Sequence, residues 1–134
     1  ALGHNPEFEI TGTNWSTRDG TGIRDYIHVV DLAKAHVVAL DRMVQNEMKK
    51  EFEIFNLGTG KGLSVLEIIR SFEKVSGVKL NYKIVGRRYG DIEKVWADPS
   101  FSNTELGWKA EKGVDEMMQS AWKWEKALEE KRKK

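Results

Sequence analysis

A serine followed three residues later by a glutamate, at Ser64 and Glu67, specifies a helix start more firmly than any other local signal in the chain. The serine hydroxyl can take the third amide of the first turn while the glutamate reaches back to the amide of the cap itself. Beyond it, Val65, Ile68, Ile69, Phe72 and Val75 recur at helical spacing, and Gly77 supplies a stop. A helix patterned in this way has one apolar face, and that face must be buried against another element. The chain must therefore fold in layers.

The remaining elements alternate between extended and helical patterns. Glu7–Ile10 alternates and predicts a half-buried strand, Gly12–Gly22 reads as a loop, and Tyr26–Val30 reads as a second extended segment. Asp31 offers a cap oxygen for a helix to about Lys49, with Leu32, Ala35, His36, Ala39, Leu40 and Met43 as its buried stripe. Glu51–Leu57 and Leu80–Val85 alternate as strands, the first with Phe52, Ile54 and Asn56 on one side. Asp98-Pro99 predicts a cap with proline at the first helical position of a short helix ending near Gly107. A last helix spans about Val114–Glu130, with Val114, Met117, Met118, Ala121, Trp122, the stem of Glu125 and Leu128 facing inward. The pattern is that of a small α/β lobe with about three main helices and several short strands.

At 134 residues this is one domain, and a net charge of +1 does not draw the chain to nucleic acid or anionic lipid. With 40% hydrophobic and 32% charged residues the balance is that of a cytoplasmic protein. No cysteine is present, so disulfides and thiolate metal sites are excluded, and no apolar run approaches a membrane span. His4, His28 and His36 are too scattered to argue for metal, and packing explains them better. Most of the five tryptophans fall on expected core positions, and the terminal KRKK reads as a solvated tail at the negative end of the last helix.

Two arginine-bearing stretches carry the chemistry. In DGTGIRDYIHVVDLA (Asp19–Ala33), two glycines let a bulky anion approach the backbone, and Arg24 ends that approach with a fork suited to two diphosphate oxygens. An ion pair of Arg24 with Asp25 or Asp31 explains the same spacing equally well. Tyr26 points to the same side as Arg24 in an extended segment, in a supporting role. In GRRYGD (Gly86–Asp91), adjacent arginines point to opposite sides, so only one can serve a shared pocket; a local Arg–Asp turn pair is the simpler explanation. The GTGKG run at Gly58–Gly62 fits neither the dinucleotide fingerprint, since position 63 is Leu63, nor a Walker loop.

Both stretches and their spacing resemble the carboxy-terminal, substrate-binding part of UDP-galactose (UDP-glucose) 4-epimerase, an extended short-chain dehydrogenase/reductase, over about Phe8 to Trp124. The resemblance implies that Arg24 contacts the UDP diphosphate and that the arginine-x-glycine-aspartate pattern selects Arg88 and Asp91, for phosphate and ribose. It also implies that the Glu9–Thr11 main chain lies beside the uracil, with Thr11 an unusual residue there, and that Val95 borders the sugar pocket. Residue bulk at that last position decides whether an N-acetyl group is admitted. NAD in the complete enzyme, UDP-sugar, and a homodimer follow as expectations. GTGKG becomes a strand-to-helix turn.

Such an enzyme binds NAD at a Gly-x-x-Gly-x-x-Gly loop and uses a Tyr-x-x-x-Lys pair. Tyr26, Tyr82 and Tyr89 are followed at the fourth place by Val30, Gly86 and Glu93. The lobe is thus expected to lack the Rossmann domain, to contain no catalytic residue, and to bind no NAD alone. The opening ALGHNPEFEI, without an initiator methionine, reads as a cut on the N-terminal side of a domain covering residues 1–134. A non-catalytic nucleotide or protein interaction module with the same fold remains the alternative.

Overall fold

The structure, a computed structural model, describes residues 7–133; His4 and Lys134, both weighed above, lie outside them. Two strands, β1 (Phe8–Thr11) and β2 (Ile23–Arg24), lead into helix α1 (Val29–Val44), then β3 (Leu63–Ser64) and α2 (Val65–Ser76). Strand β4 (Tyr82–Val85) and helices α3 (Ser100–Leu106) and α4 (Val114–Arg132) complete the order. The α/β lobe read from the sequence is therefore present, with α3 as the short fourth helix. Among the described residues no helix is long and apolar enough to cross a membrane, and no group of three or more His, Asp or Glu could hold a metal ion.

β1 and β4 pair in parallel, from Phe8 opposite Tyr82 to Thr11 opposite Val85. β2 and β3 pair antiparallel, Ile23 with Ser64 and Arg24 with Leu63, and Ile23 also bridges Lys94 in parallel. The capping box forms as expected: Glu67 N–H donates to the Ser64 hydroxyl (3.1 Å), and Ser64 N–H donates to Glu67 (2.8 Å). Helix α2 ends at Gly77 in the left-handed region, φ 70°. It packs on α4 through an edge-to-face contact of Phe72 and Trp122, ring centroids 5.5 Å apart. Among the described residues the buried apolar side chains are Ile10, Ile23, Ala35, Ile69 and Trp108.

Several expectations are corrected. Helix α1 begins at Val29 with His28 as its cap, and His28 Nδ1 accepts the Val30 N–H (3.0 Å). Asp31, read as the cap, lies inside the first turn, fully buried, where it takes the Glu111 and Lys112 amides (3.0 and 2.8 Å). The extended segment expected at Tyr26–Val30 is correspondingly found earlier, at Ile23–Arg24. The inward face of α1 holds Asp31, Leu32, Ala35, Val38, Ala39 and Arg42, whereas His36, Leu40 and Met43 are exposed. α1 is apolar on two faces, so periodicity alone could not choose the buried one. The helix also stops at Val44, because Asn46 turns left-handed at φ 58°.

The strand expected over Glu51–Leu57 is absent. Its alternation survives in the opposite phase: Glu53, Phe55 and Leu57 are half-buried, while Phe52 and Ile54 are exposed. No described strand lies alongside to complete a ladder. Pro99 occupies the cap position of α3, and Asp98 acts one residue earlier by accepting the Ser100 amide (3.0 Å). In α4, Ala121 and Glu125 are exposed despite their place in the expected stripe. Only Trp108 of the five tryptophans is buried; its indole N–H donates to the Asp31 carbonyl (3.1 Å), while Trp96 and Trp124 face outward.

Candidate functional site

Strand β2 is short because its neighbours flank it only over two residues, yet that suffices to place Arg24. On one side lies β3. On the other, Ile23 N–H donates to the Glu93 carbonyl and Val95 N–H donates to the Ile23 carbonyl, both at 3.0 Å. This ladder brings Arg24 and Val95, 71 positions apart in the chain, onto one open groove of about 460 Å³. Asp25, Asn56, Leu57, Trp96, Ala97 and Asp98 line the rest of it.

Within the groove Arg24 donates from Nη1 to the Ile23 carbonyl (2.7 Å) and has no carboxylate partner among the described residues. Neither acid weighed against it is available. Asp25 is turned toward Thr59, Gly60 and Ala97, and Asp31 serves the approach to α4. A guanidinium so placed keeps most of its donors for an incoming anion. Tyr26 is half-buried but does not line the groove. Burial pushes its phenol up, with the Arg24 charge acting in the opposite direction.

A second cluster forms where β1 ends. Gly12 N–H donates to the Val85 carbonyl (3.0 Å), carrying the β1–β4 pairing up to the turn at Gly86–Asp91. Arg87 and Arg88 then separate as alternation requires. The guanidinium of Arg87 donates to Asn14 Oδ1 (2.7 Å) and stacks over the Trp15 ring (3.7 Å to its centroid), which makes it structural. Arg88 is 73% exposed and is held by Asp91 at 3.0 Å, and the Thr11 hydroxyl donates to the other Asp91 oxygen (3.4 Å). Thr11, Arg88 and Asp91 are thus brought together. Glu9, two residues back on β1, is exposed and pairs with Lys83 across the sheet (3.2 Å). Among the described residues only one edge of β1 is paired, so main-chain groups on the other edge stay open.

The stretch from Arg88 to Asp98 links both clusters. Of the groove-lining residues, Arg24 and, through the resemblance, Val95 are legible in the sequence as site residues, but Asn56, Leu57, Trp96 and Ala97 are not; their only signal is their nearness to the NLGTG turn and to Val95. The GTGKG glycines serve close packing. A Cβ on Gly62 would overlap Ile23 Cγ2 and lie 2.8 Å from Trp96, and one on Gly58 would overlap Asp25 and lie 2.7 Å from Ala97. With the Thr59 and Gly60 amides taken by Asp25, this turn does not fit a dinucleotide phosphate. One further pair invites a catalytic reading: Ser120 Oγ lies 2.9 Å from His28 Nε2. Because His28 Nδ1 accepts a backbone amide, Nε2 carries the proton and cannot act as a base toward the serine.

A family model described as GDP-mannose 4,6 dehydratase matches residues 1–121. The chain is 48% identical to the UDP-glucose 4-epimerase of Drosophila melanogaster over 125 residues, covering 93% of this chain and 35% of that protein. Among solved structures it is similar to the UDP-glucose 4-epimerase of Stenotrophomonas maltophila with bound NAD and formylated UDP-arabinopyranose. That match has a TM-score of 0.88 and 45% identity, over 94% of this chain and 37% of the other. The Bifidobacterium longum enzyme in complex with NAD+ and UDP matches at TM-score 0.86 and 46% identity, over 94% and 36%. The chain therefore spans little more than a third of the length of these relatives. The family model is named for a dehydratase, but these relatives are epimerases, in agreement with the RDYIHV reading.

Proposed function

The chain belongs to the GDP-mannose 4,6 dehydratase family and fits the carboxy-terminal part of UDP-glucose 4-epimerases, and on that footing we propose that it is the UDP-sugar-binding lobe of an NAD-dependent UDP-glucose/UDP-galactose 4-epimerase. The observation that carries the proposal is Arg24, presented in a groove with its fork free of any described carboxylate and with Val95 on the same wall. Arg24 neutralises the diphosphate. Arg88 leaves Asp91 to reach the phosphate side, which frees Asp91 to accept ribose hydroxyls. The open edge of β1 at Glu9–Thr11 takes the uracil through main-chain groups, and Tyr26 supports Arg24 from behind.

NAD, bound in the complete enzyme by a nucleotide-binding domain, takes and returns the hydride at the sugar C4; this lobe binds and orients the substrate for it. Residues 1–134 alone are then inactive and bind no NAD. The partner domain has apolar surface to cover: Val29, Val37, Leu40 and Val44 on α1, with Phe52 and Ile54 beyond it, are all more than half exposed. The complete enzyme is a cytoplasmic homodimer in this reading.

Titration calorimetry of UDP against the complete enzyme tests the diphosphate assignment. Arg24→Ala is expected to weaken binding by about 1.5–3 kcal/mol, the loss of charge-assisted hydrogen bonds. Arg88→Ala should cost less, since its guanidinium starts exposed and already paired. Wild-type affinity in Arg24→Ala would refute the site.

Val95 is 45% exposed on the groove wall and small, so both UDP-galactose and UDP-N-acetylgalactosamine should be accepted. Val95→Tyr is expected to lower turnover of the N-acetylated pair by about 5- to 150-fold and spare the hexoses, because a side chain that overfills the space for the N-acetyl group costs about 1–3 kcal/mol. Equal loss of both activities would instead indicate misfolding.

A further inference from the structure

The glycine-rich turn at Gly58–Gly60 does hold an anion, and the anion belongs to this chain. The Asp25 carboxylate accepts the Thr59 amide on both oxygens (3.0 and 3.1 Å), the Thr59 hydroxyl (2.6 Å) and the Gly60 amide (3.4 Å). It also accepts the Ala97 amide (3.2 Å). Three segments distant in the chain thus converge on one side chain: the β2–α1 connection, the 58–60 turn, and the stretch after Val95. Gly58 is what permits it, since a Cβ there would overlap Asp25 Oδ2 and crowd Ala97. Asp25 and Ala97 themselves line the groove, together with Arg24, Val95 and Trp96.

We infer that Asp25 is a positioning residue, which fixes Arg24 relative to the Val95–Ala97 wall by occupying the 58–60 turn as an internal anion. The physical logic has two parts. Asp25 directly follows Arg24, so anchoring its carboxylate removes backbone freedom at the residue that must meet the diphosphate. By engaging the turn and the Ala97 amide, it also keeps its own charge directed away from the neighbouring guanidinium, which is left to an external anion. A carboxylate without those donors would turn to Arg24 and compete with the ligand. This inference rests on the reading of the groove as the diphosphate site.

The test compares UDP with uridine, which lacks the diphosphate, by calorimetry on the complete enzyme. Asp25→Asn preserves shape but cannot accept all of these donors. It is expected to weaken UDP binding about tenfold while leaving uridine binding unchanged, as a displaced positioning group should. Equal weakening of UDP and uridine would show a merely structural role and overturn the inference, as would unchanged UDP affinity. Should Asp25→Asn fail to fold, Thr59→Val removes the hydroxyl donor to Asp25 and, with it, the acceptor of the Lys61 amide, while the Thr59, Gly60 and Ala97 amides still reach the carboxylate. A smaller loss confined to UDP then supports the inference, and unchanged UDP affinity overturns it. Arg24→Ala run in parallel separates the two claims: if that variant binds UDP normally, the diphosphate reading fails first.

Discussion

Asp31→Ala is expected to lower the unfolding free energy by about 2–4 kcal/mol, because it strands two backbone donors inside the fold. Asp31 is fully buried in the first turn of α1, and a single oxygen, Oδ2, accepts both the Glu111 and the Lys112 amides. Those amides lie just before Gly113, the cap of α4, so the bonds set where the last helix begins relative to α1. Alanine replaces the acceptor with nothing, and water has little access. Asp31→Asn is the informative control. It can keep an oxygen at the Oδ2 position, and its amide group replaces Oδ1, which has no hydrogen-bond partner among the described residues. Its loss should therefore be smaller. Urea denaturation followed by tryptophan fluorescence measures both variants; an Asp31→Ala midpoint equal to wild type would mean that the bridge contributes nothing.

The second large effect appears in acid. Arg42 grips Glu53 with two nitrogens, Nε at 2.7 Å and Nη2 at 3.0 Å, and both side chains are nearly buried, 11% and 13% exposed. Arg42 also donates to the Glu105 carbonyl, so the pair ties α1 to the 51–57 segment and to α3. The Arg42 guanidinium, more than any other influence, holds the Glu53 carboxyl at about 2, against an ordinary value of 4.5. The folded state thus binds the proton less readily than the unfolded chain. The stability this confers is complete above about pH 4.5 and is lost as pH falls from there toward about 2. Wild type should accordingly lose more stability across that window than Glu53→Gln, whose side chain cannot titrate. Paired urea titrations between pH 2 and 6 read the difference directly; parallel curves would defeat the assignment, whatever the other carboxylates contribute to both.

Glu53 shows what could be read from the chain and what could not. Its alternation with Phe55 and Leu57 is visible in the sequence, and the fold preserves it, but the more apolar side, that of Phe52 and Ile54, is the exposed one. Two apolar residues argue for burial only when something is present to cover them. In this fold the Arg42–Glu53 ion pair, only 11% and 13% exposed, and Phe55, stacked on Phe101 with centroids 5.5 Å apart, occupy the inner side instead. The misread face of α1 has the same origin, since Leu40 and Met43 are as apolar as the residues that are buried.

The sequence by itself determined the elements whose signals lie within four residues of one another: the Ser64–Glu67 box, the stop at Gly77, the presence of β4 and the start of α4. It also contained Arg24, Arg88, Asp91 and Val95 as a recognisable pattern, because motif spacing survives in one dimension. Tertiary structure alone decided what the acids do. Asp25 meets Ala97 from 72 positions away, and Asp31 meets Glu111 from 80. A carboxylate looks the same in a sequence whether it neutralises the next arginine or satisfies distant amides. The choice is made by which donors the fold brings within about 3 Å, since hydrogen bonds weaken steeply with distance and a buried donor left unpaired is costly. That choice leaves Arg24 without a carboxylate partner among the described residues, in its groove.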